Sequence, residues 1–415
     1  MADPVDLLVI GGGAAGLAAA VAGEQRGLTC QVLEAQARLG GRVHTVETDT
    51  GPVDLGAQEI NGDMTAVLDL AADAGRHLSP LPTGGAGLTV TGDAQRRRPA
   101  HERPDAWLAL LTDGAPPAPG SSVADLLKAA DLPQAEADLA QTVTAELFGQ
   151  PAHRLDAEAV RRELATYESD RDPDEFQLRG GFGEVITALA GQLRRPPVMG
   201  TPVQTVRVVD DEVVVQTATA AWSARYVVIT APPPVARWID YRLPAQQELS
   251  SLLAGFVAGD LIKYTAVYDR PFWRYDGLSG AATYTDPVGL VVADGSVDDG
   301  RAPRLTAFLG GPTARTWAGL PTEQRDQQLR HQLARAFGPA AAQPLAIHEA
   351  VWVDHPWSGG AYNSQVRAGA AADSADRLAA WGDRVVFAGA ELAPRFRGFV
   401  EGAISSGRAA VARLG

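Results

Sequence analysis

Three glycines near the start of the chain are spaced to hold a nucleotide, in the pattern Gly11-x-Gly13-x-x-Gly16. In such a pattern the first glycine allows a tight turn, the second lets the backbone approach a pyrophosphate, and the third lets a helix pack closely on a strand. Glu34 follows 18 residues after Gly16, where a carboxylate would bind ribose hydroxyls. The pattern predicts a dinucleotide site, and the alternative is a glycine-rich structural turn.

The elements around these glycines form a predicted βαβ unit. Residues 6–10 and 28–33 are apolar runs typical of buried parallel strands, and the alanine-rich residues 14–26 between them indicate a helix. The start of that helix would offer free N–H groups and the positive end of its dipole to phosphates. A second glycine turn, Gly40-Gly41-Arg42, adds a cation and suits a cofactor whose diphosphate is contacted twice. It therefore favours FAD over NAD.

The rest of the chain alternates between helical and strand patterns. Proline and glycine residues break up the segment from Leu78 to Val123, and we expect a domain change near Leu78. The turn residues Asp210-Asp211 predict a hairpin. Further helices are predicted over 123–164, 322–337 and 400–413, and further strands over 203–209, 212–217, 226–230, 260–268 and 384–388.

Composition limits the class of protein. The 415 residues predict two or three domains, and a net charge of −14 makes nucleic acid an unexpected partner. The one cysteine, Cys30, excludes an intrachain disulfide, and the seven histidines lack metal-ligand spacing, so we expect no metal site. We find no signal peptide and no apolar stretch long enough to span a membrane, and we expect a cytoplasmic protein.

Residues 6–42, which include both glycine turns, resemble the FAD-dependent amine oxidase family, which includes monoamine, polyamine and L-amino-acid oxidases. The resemblance extends in order and spacing over most of the chain, whereas residues 78–179 and 275–345 match only loosely. The further matching segments are 56–60, 179–183, 202–203, 227–233, Lys263 with 270–274, Trp352 with 357–362, 387–391 and 398–402.

The resemblance implies an α/β fold with a Rossmann-like FAD-binding domain and a discontinuous α+β substrate-binding domain. The FAD-binding domain would comprise residues 1–77, 180–250 and 351–415, and the substrate domain residues 78–179 and 251–350. Ala361 stands where some members have the cysteine that attaches flavin, so we expect FAD to be bound non-covalently. The residues expected to bind FAD are Gly11, Gly13, Ala15, Gly16, Glu34, Ala35, Gly41, Arg42, Gly56, Ala57, Gln58, Val203, Trp352, Trp357, Gly389, Glu391, Gly398, Phe399 and Val400.

The resemblance also implies catalytic roles for three residues. Lys263 matches a lysine that holds a water against flavin N5 and aids the reaction with oxygen, because negative charge develops beside a cation. Tyr362 and Phe399 match the two aromatic residues that form a cage facing the flavin, and Phe399 replaces the usual tyrosine. The alternatives are an ordinary lysine with its charge in solvent and aromatic rings that pack in the core.

Glu59 is unusual for this turn, because relatives generally have an aromatic or polar residue there. A carboxylate near the flavin is costly unless it is paired. We expect Glu59 to pair with a cationic substrate or to act on it as an acid or base, and the alternative is a surface salt bridge. Arg395 and Arg397 could bind a substrate carboxylate or lie in a solvated loop, and Glu391 could be a helix N-cap instead of a cofactor ligand.

The resemblance implies oxidation of an amine C–N bond to an imine or iminium, which is then hydrolysed to a carbonyl, with O2 reduced to H2O2. One alternative is an L-amino-acid oxidase, which requires an arginine for the carboxylate. Another is a tailoring enzyme acting on an amine or amide of a larger natural product. A third, of another class, is a flavin-binding scaffold without turnover. A homodimer is compatible with the sequence.

Overall fold

The computed structural model describes residues 3–82, 84–99, 102, 104–167, 175–297 and 301–415. In chain order the strands are β1 (Val5–Ile10), β2 (Cys30–Leu33), β3 (Thr45–Val46), β4 (Val53–Asp54), β5 (Glu59–Asn61), β6 (Leu78–Pro80), β7 (Ala86–Thr91), β8 (Ala94–Arg98), β9 (Glu175–Leu178), β10 (Val203–Val209), β11 (Glu212–Thr217), β12 (Ala221–Ile229), β13 (Asp240–Arg242), β14 (Phe256–Ala258), β15 (Leu261–Val267), β16 (Leu278–Tyr284), β17 (Leu290–Asp294), β18 (Arg304–Gly310), β19 (Ala346–Val351), β20 (Ser364–Val366) and β21 (Val385–Phe387). The helices are α1 (Ala14–Gln25), α2 (Thr65–Asp73), α3 (Ala109–Thr112), α4 (Val123–Ala129), α5 (Gln134–Phe148), α6 (Ala157–Leu164), α7 (Gly183–Ala190), α8 (Pro233–Ala236), α9 (Gln246–Ala254), α10 (Phe272–Tyr275), α11 (Gly311–Ala318), α12 (Thr322–Phe337), α13 (Ser374–Ala380) and α14 (Val400–Ala412).

The first large sheet contains the predicted βαβ unit. Its strand order is β13-β10-β11-β12-β1-β2, and β21 pairs with β12. β1 is parallel to both β2 and β12, and it is almost wholly buried because helices cover the sheet. α1 and α14 pack against each other beside this sheet. The glycine turn follows directly after the carboxyl end of β1 and leads into α1.

The second large sheet has the order β19-β15-β18-β17-β16-β7-β8. β15 lies between β18 and β19, and all seven of its residues are buried, including Lys263. Its core combines aromatic and aliphatic side chains with the apolar faces of α11 and α12. α5 packs across β16, β17 and β18, so its last turn is held against this sheet.

The two large sheets draw on the segments predicted for the two domains. Strands of the first sheet come from 1–77, 180–250 and 351–415, and strands of the second come, apart from Val351, from 78–179 and 251–350. A third sheet, of order β5-β9-β6, joins segments on both sides of the predicted boundary at residue 78. The domain boundaries stay a prediction, and the small sheet places Glu59, the first residue of β5, between them.

Several predicted elements differ in extent from those observed. The helical pattern over 123–164 is divided into α4, α5 and α6. α4 ends at Ala129, Pro133 caps the start of α5, and Gly149, with φ 62°, ends α5. β12 begins at Ala221 rather than at residue 226, since its first residues pair with β11 before the strand continues beside β1. Asp210 has φ 53°, as the predicted hairpin turn between β10 and β11 requires.

Candidate active site

The glycine turn between β1 and α1 leaves space where a phosphate group would lie. Gly11 has φ +112°, and a Cβ added to Gly16 would lie 1.9 Å from the carbonyl oxygen of Gly11. Gly16 therefore allows α1 to approach the strand. A Cβ on Gly13 would instead meet nothing closer than 3.8 Å, because this residue borders a cavity. The open space at the start of α1 fits an anionic diphosphate.

Glu34 follows β2 and borders the same cavity. Its Oε2 accepts a hydrogen bond of 2.6 Å from the backbone N–H of Gly12, and its Oε1 accepts one of 2.8 Å from that of Gln36. These bonds fix the carboxylate beside the glycine turn. Each carboxylate oxygen has a further lone pair, so Glu34 retains acceptor capacity for ribose hydroxyls.

Arg42 is held by an ion pair from the far end of the chain. Its guanidinium donates two hydrogen bonds to Glu391, at 2.7 and 3.0 Å, and a third to the carbonyl oxygen of Tyr362 at 2.9 Å. The Glu391 carboxylate also accepts from the backbone N–H of Ser364, and Arg42 together with these hydrogen bonds holds its pKa below the ordinary value, although burial acts in the opposite direction. Arg42 borders the cavity, whereas Glu391 does not. Glu391 thus positions Arg42, and its predicted contact with FAD stays a prediction.

The predicted site residues surround one cavity of about 530 Å³. They come from several separate chain segments, which the two large sheets and the small sheet bring together. Gly16 and Glu391 are the predicted cofactor residues that do not border it, and Gly16 has the packing role described above. The bordering residues are Gly11, Gly13, Ala15, Glu34, Ala35, Gly41, Arg42, Gly56, Ala57, Gln58, Val203, Trp352, Trp357, Gly389, Gly398, Phe399 and Val400, together with Glu59, Lys263 and Tyr362. Their contacts with FAD and substrate stay predictions.

Lys263 is a buried cation at one end of the cavity. Its Nζ donates a hydrogen bond of 2.8 Å to the carbonyl oxygen of Gly56 and lies 5.6 Å from the centre of the Phe308 ring. Burial lowers the pKa of Lys263 to about 8, although the charges of Asp54 and Glu59 act in the opposite direction. An ammonium group has three donors, so Lys263 can bind a further acceptor in the cavity.

Tyr362 and Phe399 both border the cavity, as the predicted cage requires. The Tyr362 hydroxyl donates a hydrogen bond of 2.6 Å to Oε1 of Glu146, and burial raises the pKa of this hydroxyl well above its ordinary value. The ring of Phe399 meets that of Tyr167 edge to face, with 5.1 Å between the ring centres. Each predicted cage residue is therefore oriented by a residue that the sequence analysis did not identify.

Glu59 and Glu146 are two of the carboxylates that border the cavity. Glu59 is an exposed residue that borders the cavity. Its pKa is raised by desolvation and by Glu175, with Lys263 acting in the opposite direction. Burial and the charge of Glu59 raise the pKa of Glu146 to about 7, although the hydrogen bond from Tyr362 lowers it. The cavity lining thus includes the carboxylates Glu34, Glu59, Glu146 and Glu163 and the cations Arg42 and Lys263.

Glu146 and Tyr167 escaped the sequence analysis because they lie in the region that matches the family loosely. Glu146 occupies the last turn of α5, among the buried residues Ala145 and Phe148. The signal available was an acidic residue close to two apolar positions of one helical turn. The Tyr167 hydroxyl donates a hydrogen bond of 2.9 Å to Oε1 of the buried Glu163. No pattern in the sequence indicated this contact.

Arg395 and Arg397 do not border the cavity. Arg397 is buried and pairs with Asp376 at 2.6 Å, while the Arg395 guanidinium lies over the ring of Phe396. Among the cavity residues within the described ranges, Arg42 is the one arginine, and Glu391 neutralises it. This arrangement provides no unpaired arginine for a substrate carboxylate in the described part of the cavity.

The described residues contain neither a cluster of metal ligands nor a membrane-spanning helix. No group of three or more His, Cys, Asp or Glu side chains there is placed to hold a metal ion. No helix in the same ranges is long and apolar enough to cross a membrane. Cys30 is buried and does not border the cavity.

Comparisons with known proteins agree with this architecture. The profile of a family described as flavin containing amine oxidoreductase matches residues 14–415. A putrescine oxidase of Kocuria rosea is 26% identical over 452 residues, covering 99% of this chain and 95% of that protein. An L-amino acid dehydrogenase of Synechocystis sp. is 30% identical over 239 residues, but this covers 58% of this chain and only 51% of that protein. The structure of cyclohexylamine oxidase from Brevibacterium oxydans matches with a TM-score of 0.87 at 25% identity, covering 98% of each chain.

Proposed function

Because this chain belongs to the flavin-containing amine oxidoreductase family, we propose that it oxidises a cationic amine in preference to an α-amino acid. The observation that carries this proposal is the charge of the cavity beside Tyr362. Glu59 and Glu146 both face it, and the described cavity offers no unpaired arginine. Two carboxylates would attract an ammonium group and repel the carboxylate of an amino acid.

The predicted family, α/β fold class and FAD cofactor are confirmed. The protein is an FAD-dependent oxidoreductase that acts on the C–N bond of an amine. The chemistry that FAD supplies is acceptance of a hydride from the α-carbon and transfer of the electrons to O2, which gives H2O2. The imine or iminium product is hydrolysed to a carbonyl.

We infer that the chain binds FAD without a thioether bond. Ala361, which borders the cavity next to Tyr362, has no thiol. The single cysteine, Cys30, lies buried away from the cavity. We infer that the cofactor is held by the glycine turns, the start of α1, Glu34 and Arg42.

We infer that three side chains act on the amine and that a fourth, Lys263, acts on the reaction with oxygen. The rings of Tyr362 and Phe399 confine it and exclude bulk water from the reacting atoms. Glu59 holds the positive charge of the incoming substrate, and Lys263 supplies a cation where negative charge develops during the reaction with oxygen. An amine must be neutral at nitrogen when hydride leaves its α-carbon, so the site must also accept a proton.

An anaerobic spectral titration tests the proposed substrate class. We expect primary and secondary amines to remove the absorbance of oxidised flavin and α-amino acids to leave it unchanged. Matched pairs such as an amine and its α-carboxylated analogue keep the rest of the substrate constant. Reduction by the amino acid alone would overturn the proposal in favour of an L-amino-acid oxidase.

Dithionite provides the control for the cofactor itself. Flavin that dithionite reduces, but that no amine or amino acid reduces, would contradict the proposed amine class. Such a protein would be either a tailoring enzyme with a larger substrate or a flavin-binding scaffold.

A further inference from the structure

We propose that Glu146 is the catalytic base that takes the proton from the substrate ammonium before hydride transfer, an inference that rests on the proposed function. The resemblance to amine oxidases did not indicate this residue, because it lies in the loosely matching region. Glu146 belongs to α5, which packs on the second sheet. The rings of Tyr362 and Phe399 lie in the predicted FAD-binding segments. The site is thus completed across the two parts of the molecule.

The geometry leaves one oxygen of Glu146 free to act. Oε1 accepts the hydrogen bond of 2.6 Å from the Tyr362 hydroxyl. Oε2 receives no hydrogen bond from the residues that the structure describes, and Glu146 borders the cavity. An amine held against the Tyr362 ring would therefore have Oε2 of Glu146 as a proton acceptor in the same cavity. The hydrogen bond from the Tyr362 hydroxyl holds Glu146 in place beside that ring.

The surroundings keep this carboxylate from being permanently ionised. No described cation pairs with Glu146, and the charge of Glu59 opposes its ionisation. Lys263 is instead directed to the carbonyl oxygen of Gly56. The elements packed against α5 also carry charged residues, but none of those described pairs with Glu146. Asp294, Arg304 and Arg315 are bonded to other groups. His153 and Arg154 are exposed at the surface. A carboxylate with a pKa of about 7 is suited to accept and return a proton near neutral pH.

The proposed step is a proton transfer from the substrate ammonium to Glu146, and it requires no further reactant. The N–H bond of the ammonium breaks, its electron pair stays on nitrogen, and an O–H bond forms on Oε2 of Glu146. The neutral amine is the form from which bound FAD would accept a hydride, and the product would then be an iminium. Glu146 later returns its proton to solvent through the cavity.

The test compares the pH dependence of anaerobic flavin reduction in the wild type and in Glu146→Gln at saturating amine. We expect the wild-type rate to fall as pH decreases through about 7, because the protonated carboxyl cannot accept a proton. In Glu146→Gln we expect the rate at neutral pH to fall about 100-fold and this acidic limb to disappear. The matched control is Glu136→Gln, which removes an exposed carboxylate from the first turn of the same helix and should behave as the wild type.

Tyr362→Phe gives a second readout that a purely structural role would not produce. It retains the ring but removes the hydrogen bond that lowers the pKa of Glu146, so we expect the acidic limb to move to higher pH. Infrared difference spectra of the resting holoenzyme should show the carboxylic acid band of Glu146 appearing at correspondingly higher pH. Glu146→Gln should lack this band.

The outcomes separate this inference from the proposed function. An unchanged rate and acidic limb in Glu146→Gln would overturn the inference, as would a lower rate with the acidic limb retained, which would indicate a positioning role only. If Glu146→Gln fails to bind FAD, an acidic limb in Tyr362→Phe that has not moved would overturn it. A wild type that no amine reduces would contradict the proposed function instead.

Discussion

Glu59 influences both of the titrating groups at the substrate end of the cavity. Its charge raises the pKa of Glu146 and opposes the lowering of the pKa of Lys263. In Glu59→Gln we therefore expect the acidic limb of flavin reduction to move to lower pH, the opposite direction from Tyr362→Phe. We also expect kcat/KM for a cationic amine to fall about tenfold, because a hydrogen bond to a charged group is lost.

Steady-state kinetics across pH measure both effects of Glu59→Gln. Glu47→Gln, which removes an exposed carboxylate, is the control and should leave the profile unchanged. Wild-type kcat/KM in Glu59→Gln would remove Glu59 from substrate binding.

From the lowered pKa of Lys263 we predict that the reaction with oxygen depends on pH. Its lowered pKa of about 8 means that the ammonium form is present below pH 8 and is lost as pH rises through this value. Since the cation stabilises developing negative charge, we expect flavin reoxidation to slow above about pH 8. In Lys263→Met we expect it to be slower on the order of 100-fold at neutral pH.

Stopped-flow mixing of the reduced enzyme with O2 measures this step separately from amine oxidation. Glu136→Gln again provides the control. Reoxidation that is equally fast in Lys263→Met and independent of pH in the wild type would contradict the role of this lysine.

Sequence patterns predicted those site residues whose role is local. Gly11 and Gly16 lie five residues apart, and their close contact follows from the turn alone. Glu146 could not be found in this way, because its partner Tyr362 is 216 residues away in the chain. The hydrogen bond between Tyr362 and Glu146 depends on how the second sheet packs against the predicted FAD-binding segments. No short sequence pattern predicts that packing.

At the scale of elements, the contact between α1 and α14 depends on small residues. A Cβ added to Gly407 would lie 2.1 Å from the carbonyl oxygen of Ala15, in the first turn of α1. In Gly407→Ala we therefore expect the free energy of unfolding to fall by about 1–3 kcal/mol, because the helices must move apart. Since Ala15 borders the cavity, we also expect weaker FAD binding.

Thermal unfolding and an FAD titration of the apoprotein check this prediction. Gly84→Ala is the control, because a methyl group there would meet nothing within 4 Å. Unchanged stability and FAD affinity in Gly407→Ala would indicate that the two helices are not packed so closely.

The elements that could be predicted have strong local patterns. The exposed helix over 322–337 coincides with α12, and the strand over 260–268 contains β15. β8, β17 and β18 were not predicted, although each pairs with a neighbouring strand of the chain. β7 and β16 were not predicted either, and they pair with each other although they lie far apart in the chain. Strand formation there depends on partners that a local pattern does not include.

At the scale of the whole molecule, the cavity exists because distant segments of the chain meet. The predicted α/β fold class is confirmed, and the scattered motifs meet around one cavity. The domain boundaries and a homodimer stay predictions. The two carboxylates on which the proposed preference for amines rests come from β5 and α5, and the sequence analysis named only Glu59.

The order of strands in the first sheet also constrains how the protein is made. β12 pairs with β21 through Ile229 and Phe387, so the sheet stays incomplete until more than 150 further residues have been synthesised. α14, which covers α1, follows later still. The nascent chain must therefore keep apolar strand edges exposed during much of translation, when aggregation competes with folding. We therefore expect FAD to be captured only after β21 and α14 have formed, so a supply of free FAD at that stage should favour the yield of folded protein.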